Sequence, residues 1–346
     1  MAQSLPSLVP LSTYVRELRP HLPAEVFLPS RSRLALVPVH LAVVTVATLA
    51  IALGWVPWPV MLALSVLIGL TFAGLTFNAH ETMHGGIVRG RRLKHATAWI
   101  GFLPFVISPR LWAAWHDRVH HSCANNSAED PDVYPTLDEY RTNSRVRFFI
   151  NWFALGGRRW RGGLSLVLGF SVQALHMLIT ARRRGFVDRR GHLLAIGETL
   201  LGVAVWATVA ALVGFVPFLL VFVAPLLIAN AVVMGFILTN HSLSPNAAIN
   251  DPLVTGLSVT NARWIERATL QFGYHVEHHL FPAMSSRHAP KVRALLRSLW
   301  PDRYQSMPLR HALLRLHRTS RVYKDATTLV DPRTGAEFAT LGTAPS

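Results

Sequence analysis

The sequence predicts an all-α integral membrane protein with four transmembrane helices in two hairpins and further helices lying at the interface. Hydrophobic residues make up 51% of its 346 positions and charged residues only 15%, with a mean hydropathy of +0.32, whereas soluble domains carry about 25% charged residues. Its 34 lysines and arginines are missing from two long stretches, Leu34 to Val88 and Gly191 to Ala262. There are seventeen histidines, almost as many as the 18 acids, and nine of them form three clusters and one single position after the apolar segments.

The turn-forming run Val56-Pro57-Trp58-Pro59 divides the first stretch into apolar segments at about 34–55 and 58–77. Each has the roughly 20 residues a helix needs to cross a bilayer. The second stretch divides near Gly214 to Pro217 into segments at about 193–213 and 218–238. Trp55, Trp58 and Phe215 stand at these turns, as expected where aromatic rings favour the membrane interface. Ala96 to Ser108 is too short to span. Gly163 to Thr180 is long enough, but it lies between Arg158-Arg159-Trp160-Arg161 and Arg182-Arg183-Arg184. Crossing would carry one basic cluster outward and put His241 on the opposite face from His80, so both segments are expected at the interface.

Lysine and arginine then set the orientation. Four precede the first gap, seventeen lie between Arg89 and Arg190, and thirteen follow Ala262. All fall on one side of the two hairpins, which the positive-inside rule makes cytoplasmic; in a bacterium the membrane would be the inner one. The chain is thus expected to comprise a cytoplasmic tail at 1–33, a membrane domain at 34–326 and a loose polar tail at 327–346. The formal charge of +16 would suggest a polyanion in a soluble protein, but here it marks topology. No nucleic-acid partner is expected, and the basic groups suit anionic lipid headgroups. The single cysteine, Cys123, excludes a disulfide framework and multi-cysteine metal sites.

Three histidine clusters carry the chemistry. Asn78-Ala79-His80-Glu81-Thr82-Met83-His84 places His80 and His84 one helical turn apart, able to address one metal. In Trp115-His116-Asp117-Arg118-Val119-His120-His121, His116 and His120 repeat that spacing, while His121 is turned by roughly 100° toward a different metal. Tyr274-His275-Val276-Glu277-His278-His279-Leu280-Phe281-Pro282 supplies three more, and a ninth, His241, follows Asn240. All nine emerge at the cytoplasmic ends of hairpins that were placed by hydropathy and charge alone. Nine imidazoles exceed one ion, so two metals with four or five ligands each are expected, completing the fold class with a cytoplasmic, histidine-ligated di-metal domain. Imidazole suits zinc, copper, iron and nickel and does not choose among them. Isolated histidines, namely His21, His40, His95, His176, His192, His311 and His317, are read as structural or solvated.

In these residues the chain resembles the membrane fatty-acid desaturase family, histidine-box di-iron enzymes of the bilayer, from about Leu34 to about Trp300. The run EHHLFP, Glu277 to Pro282, followed by Arg287-His288, is similar to the acyl-lipid branch, and Asp130-Pro131-Asp132 also recurs in such enzymes. The resemblance implies that His80, His84, His116, His120, His121, His275, His278 and His279 hold two irons, with His241 as the ninth ligand. It also implies O2 as co-substrate and a fatty acyl lipid as substrate. The third box opens with His275 where front-end desaturases have glutamine. No HPGG-like heme motif is present, so a separate electron donor of ferredoxin or cytochrome b5 type is expected. Glu81, Asp117, Asp130, Asn240 and Glu277 are candidates to accept the second N–H of a ligating ring, with helix-surface roles as the alternative; His288 is a further candidate or simply exposed.

Other functions fit less well. A lipid hydroxylase or carotenoid ketolase would use a similar box arrangement. A metal transporter would place its ligands near the midplane, where His40 and Glu198, both nearer a helix end than its middle, are the only ionisable residues of the four spans. A zinc-dependent membrane hydrolase needs about three protein ligands, which leaves most of the histidines without a purpose.

Overall fold

The computed structural model describes residues 4–342. Helix predominates, and two short two-stranded sheets complete it. The chain forms two compact units: an apolar unit, Phe27–Asp117 with Val167–Val233, and a polar unit built from the chain up to Val26, Arg118–Leu166 and the chain from Met234 onward.

In the apolar unit, α1 (Leu36–Ala52) and α2 (Trp58–His84) form the first hairpin. Pro57 at the N-cap and Pro59 in the first turn start α2, where a missing N–H costs nothing. The helix does not stop at Phe77, where the apolar run ends. It continues to His84, because nothing after Phe77 breaks a helix before Gly85 (φ 89°), whose N–H and that of Gly86 cap the carbonyls of Thr82 and Glu81. The first histidine pair therefore rides on the same rigid rod as the membrane segment. α3 (Arg91–Phe102) packs on α2. Ala96 to Ser108 is not one helix: Leu103–Phe105 forms a 3-10 turn and Val106 takes a left-handed conformation.

Close approach of α2 and α3 depends on Gly101, where an added Cβ would lie 2.6 Å from the Leu75 carbonyl oxygen and 2.7 Å from Ala79 Cβ. Gly101→Val is expected to destabilise this unit by about 1–3 kcal/mol through overpacking, read as a lower midpoint of thermal unfolding in detergent; an unchanged midpoint would contradict this packing.

Among the described residues five helices are long and apolar enough to cross a membrane, one more than the sequence assigned: Ala24–Ala52, Trp58–His84, Trp160–Thr180, Arg189–Val213 and Phe215–His241. The additional one, Trp160–Thr180, contains Gly163–Thr180, expected at the interface, which a 3-10 turn at Trp160–Gly162 lengthens. α4 (Arg189–Val213) exposes Leu200, Leu201, Val203 and Leu212, surface that water would penalise and lipid would not. Its one acid, Glu198, accepts from His95 Nε2 (2.8 Å), Ser108 Oγ (2.6 Å) and Arg110 Nε (2.6 Å), tying α4 to α3 and the segment after it. In the last of the five, a π-helical stretch Leu219–Val223 precedes Pro225, a residue that cannot donate to the regular ladder.

Neither expected tail is loose in the polar unit. Leu11–Leu18 is an amphipathic helix with Tyr14 and Leu18 buried; Tyr14 packs edge-on against Trp300 at 5.0 Å, and Val9 N–H donates to Asp251 at 2.8 Å. At the other end β3 (Thr328–Val330) and β4 (Glu337–Ala339) pair as an antiparallel hairpin, burying Leu329 and Leu341. Polar composition hid these anchors, because a few alternating apolar residues are enough to dock a short hairpin. The remaining parts of the expected tails, residues 1–3 and 343–346, lie outside the described residues. β1 (Ser258–Thr260) and β2 (Ser306–Pro308) form a parallel pair beside the helix His275–Leu280 of the third histidine box.

Candidate metal centre

In the apolar unit, His80 and His84 from the end of α2 meet His116, their ligand nitrogens within 4.8 Å of one another. His80 Nε2 and His116 Nε2 face each other at 3.2 Å. Trp112, 2% exposed, packs against all three rings with centroid distances of 5.2, 5.1 and 4.5 Å, walling the cluster with indole. Sequence reading passed over Trp112, although its place four residues before His116 puts it on the same side of the helix.

In the polar unit, His120, His241, His275 and His279 bring their ligand nitrogens within 4.8 Å of one another. Nε2 of His241 lies 2.6 Å from that of His275 and 3.3 Å from that of His279. His121 and His278 face each other in the same unit, Nε2 to Nε2, at 3.2 Å. His116 thus lies with His80 and His84, and His120 with His241, His275 and His279. Ala113–His120 is a π-helix, and its wider turn changes the rotation between residues four apart.

The outward nitrogens of these rings are held in place. His120 Nδ1–H donates to both oxygens of Asp130 at 3.0 and 3.1 Å, with Asp132 at 3.6 Å. Asp130 is itself fixed by the backbone N–H of Asn125 (2.7 Å), a residue turned to φ 61°, and by that of Asp132 (2.9 Å). His241 Nδ1–H donates to the Thr255 carbonyl at 2.7 Å. His84 Nδ1 lies 3.0 Å from Asp117. Asp130 and Asp117 therefore lie against ring nitrogens of His120 and His84.

The other candidates are corrected. Glu81 is ion-paired with Arg33. Glu277, 0% exposed, accepts from Arg293 Nε, Tyr304 OH and Ser258 Oγ, a network that engages both carboxylate oxygens. Asn240 uses its backbone carbonyl to accept from Leu257 N–H, and its buried Oδ1 has no hydrogen-bond partner. His288 sits half-buried in the turn Ser286–His288. Adjacency in sequence misled at Glu81 and Glu277 because neighbouring residues on a helix point in different directions.

Electrostatics separates the rings of the polar-unit cluster. Burial, reinforced by His275, His241, His120 and His278, holds His279 well below the usual histidine range, so its lone pairs remain available. Burial also acts against charge on His120, but Asp130 and Asp132 outweigh it and push the pKa up to about 9. Burial likewise disfavours the Asp117 carboxylate, yet its bond to His84 and the nearby His116 and Lys94 hold it below the ordinary value.

This donor set fits metal. The rings of His120 and His241 converge on the cluster through one nitrogen while a carboxylate or a carbonyl holds the other, the arrangement that fixes tautomer and raises basicity in metal-ligating histidines. His279 Nδ1 is buried without a hydrogen-bond partner, a cost that packing alone does not offset. Asp130→Ala is expected to lower metal affinity about 10–100-fold while leaving every imidazole in place, measurable by chelator competition. Unchanged affinity would mean that Asp130 only braces the loop.

The sequence model of the family described as fatty acid desaturase matches residues 53–310, about three quarters of the chain and a range that includes all nine histidines. The chain belongs to the fatty acid desaturase family. No curated protein matches it. Membership and the two histidine clusters together make this desaturase-family member a metal-centre protein with apolar helices suited to a membrane.

Proposed function

We propose that the protein introduces a double bond into a fatty acyl chain of a membrane lipid, using O2 and two irons held by His80, His84, His116, His120, His121, His241, His275, His278 and His279. The observation that carries this reading is the pair of all-histidine clusters in a chain of the desaturase family. The reaction balances as one acyl –CH2–CH2– unit, one O2, two electrons and two protons giving –CH=CH– and two waters. When bound, the irons would supply the redox chemistry with O2.

The chain's own residues do the rest. Asp130 keeps the Nδ1 proton on His120 and the Thr255 carbonyl keeps that on His241, so the opposite nitrogens face the metal. Trp112 keeps water from the first cluster. Apolar helices give an acyl chain access from the bilayer. A separate donor of ferredoxin or cytochrome b5 type supplies the two electrons, steered by the basic surface; with four helices crossing and Gly163–Thr180 lying at the interface, that surface, both termini and the histidines are on the cytoplasmic side.

The test is to express the chain with a reductase and an electron carrier in a host and profile its acyl lipids by mass spectrometry. A loss of two mass units in a fatty acyl chain supports the reading. A gain of sixteen would make the protein a hydroxylase on the same scaffold, and unchanged acyl lipids with altered carotenoids would make it a ketolase.

A further inference from the structure

Away from the histidines, the polar unit carries a second concave site. Asn151, Trp152, Arg159, Trp160, Arg161 and Arg333 line a pocket of about 370 Å3, within the usual size of ligand pockets. Three guanidinium groups meet there. Arg161 lies over the Trp152 ring at 4.1 Å. Arg159 donates through one Nη to the Asn151 carbonyl, while its Nε is buried with no hydrogen-bond partner. Arg333 comes from the turn of the C-terminal hairpin, and Gly157 leaves room for it, since a Cβ there would lie 2.8 Å from its Nη2. Asp331 pairs with Arg333 at 2.7 Å, leaving three cations against one carboxylate. Burial and the neighbouring Arg333 both act against the charge on Arg159 and lower its pKa, so a bound anion would relieve repulsion already present.

The rim is aromatic. Trp160 is 81% exposed, Phe148 66% and Trp152 49%, and Trp160 opens a helix, Trp160–Thr180, long and apolar enough for a membrane. A soluble anion would leave these rings in water, whereas a lipid places its phosphate in the arginine fork and its glycerol and tails against the aromatics. Guanidinium suits phosphate because its planar fork can donate two parallel hydrogen bonds.

We propose that this pocket binds the phosphate of an anionic membrane glycerophospholipid, at a site distinct from the histidine clusters and independent of the reaction they carry out.

The experiment is native mass spectrometry of the full chain in detergent, titrated with phosphatidylglycerol, phosphatidylcholine or inorganic phosphate. Phosphatidylglycerol is expected to bind one equivalent more tightly than phosphatidylcholine. Arg159→Gln/Arg161→Gln is expected to weaken it at least about tenfold, equivalent to 1.4 kcal/mol, and Arg333→Gln, from a distant part of the sequence, to weaken it in the same direction. Thermal unfolding of each variant checks that it is folded, and Arg161→Lys, which keeps the charge but loses the fork, serves if the double variant is not. Wild-type affinity in the folded variants, equal binding of the two lipids, or inorganic phosphate binding as tightly as the lipid would overturn the proposal.

Discussion

His279→Gln is expected to strip metal from the polar-unit cluster and abolish turnover while leaving the protein folded. His279 has ligand nitrogens within 4.8 Å of those of His120, His241 and His275, and its ring is stacked on His121 at 4.3 Å. Its own surroundings keep it uncharged, so its role is that of a neutral donor. Removing a direct ligand should cost more than the roughly 10–100-fold lost when an outer hydrogen-bond partner is removed. Fold stability in the absence of metal is expected to stay level or rise, because one member of a crowded set of buried imidazoles has gone. Metal analysis and thermal unfolding of the same preparation check both halves, and a folded variant that keeps full metal content would contradict the assignment.

Glu277→Leu is expected to have the opposite signature: all nine histidines remain, but the element carrying three of them loses its anchor. Glu277 accepts from Arg293 Nε at 3.0 Å, Tyr304 OH at 2.6 Å and Ser258 Oγ at 2.5 Å, and Ser258 Oγ in turn accepts from Val276 N–H at 3.0 Å. One carboxylate thus joins the third-box helix to β1 and to the helix Ala289–Leu299. Arg293 is buried against the Tyr274 ring at 3.6 Å, and although burial opposes its charge, Glu277 outweighs this and raises its pKa. Removing one partner of such a pair leaves a buried charge uncompensated, at a cost of about 3–5 kcal/mol. The variant should unfold at lower temperature, become protease-sensitive in the polar unit and fail to retain metal. Glu277→Gln, which keeps two of the hydrogen bonds, should fall between it and wild type. A stable, metal-replete Glu277→Leu protein would show that the network is dispensable.

These two residues show what the sequence could and could not reveal. His279 was legible because imidazoles at spacings of three and four residues beside an apolar span have few other uses. Glu277, its near neighbour, was read as a histidine partner, but its true partners, Arg293, Tyr304 and Ser258, lie 16 to 27 positions away, where spacing carries no signal. Asp130 reaches His120 because a local turn at Asn125 closes the ten positions between them. The apolar helices were visible as gaps in lysine and arginine, yet their ends were not: hydropathy marks where lipid stops, whereas caps such as Gly85 mark where the helix stops. The docked N-terminal helix and the C-terminal hairpin were missed for a related reason, since each is fixed by a few long-range contacts, such as Val9 to Asp251 and Leu341 to Leu243.

Metal analysis of the purified wild-type chain asks whether the two histidine clusters hold a pair of irons. About two irons per chain are expected, with the polar-unit iron and O2-dependent activity lost together in His279→Gln. A single zinc per chain, with activity that persists without O2, would contradict it.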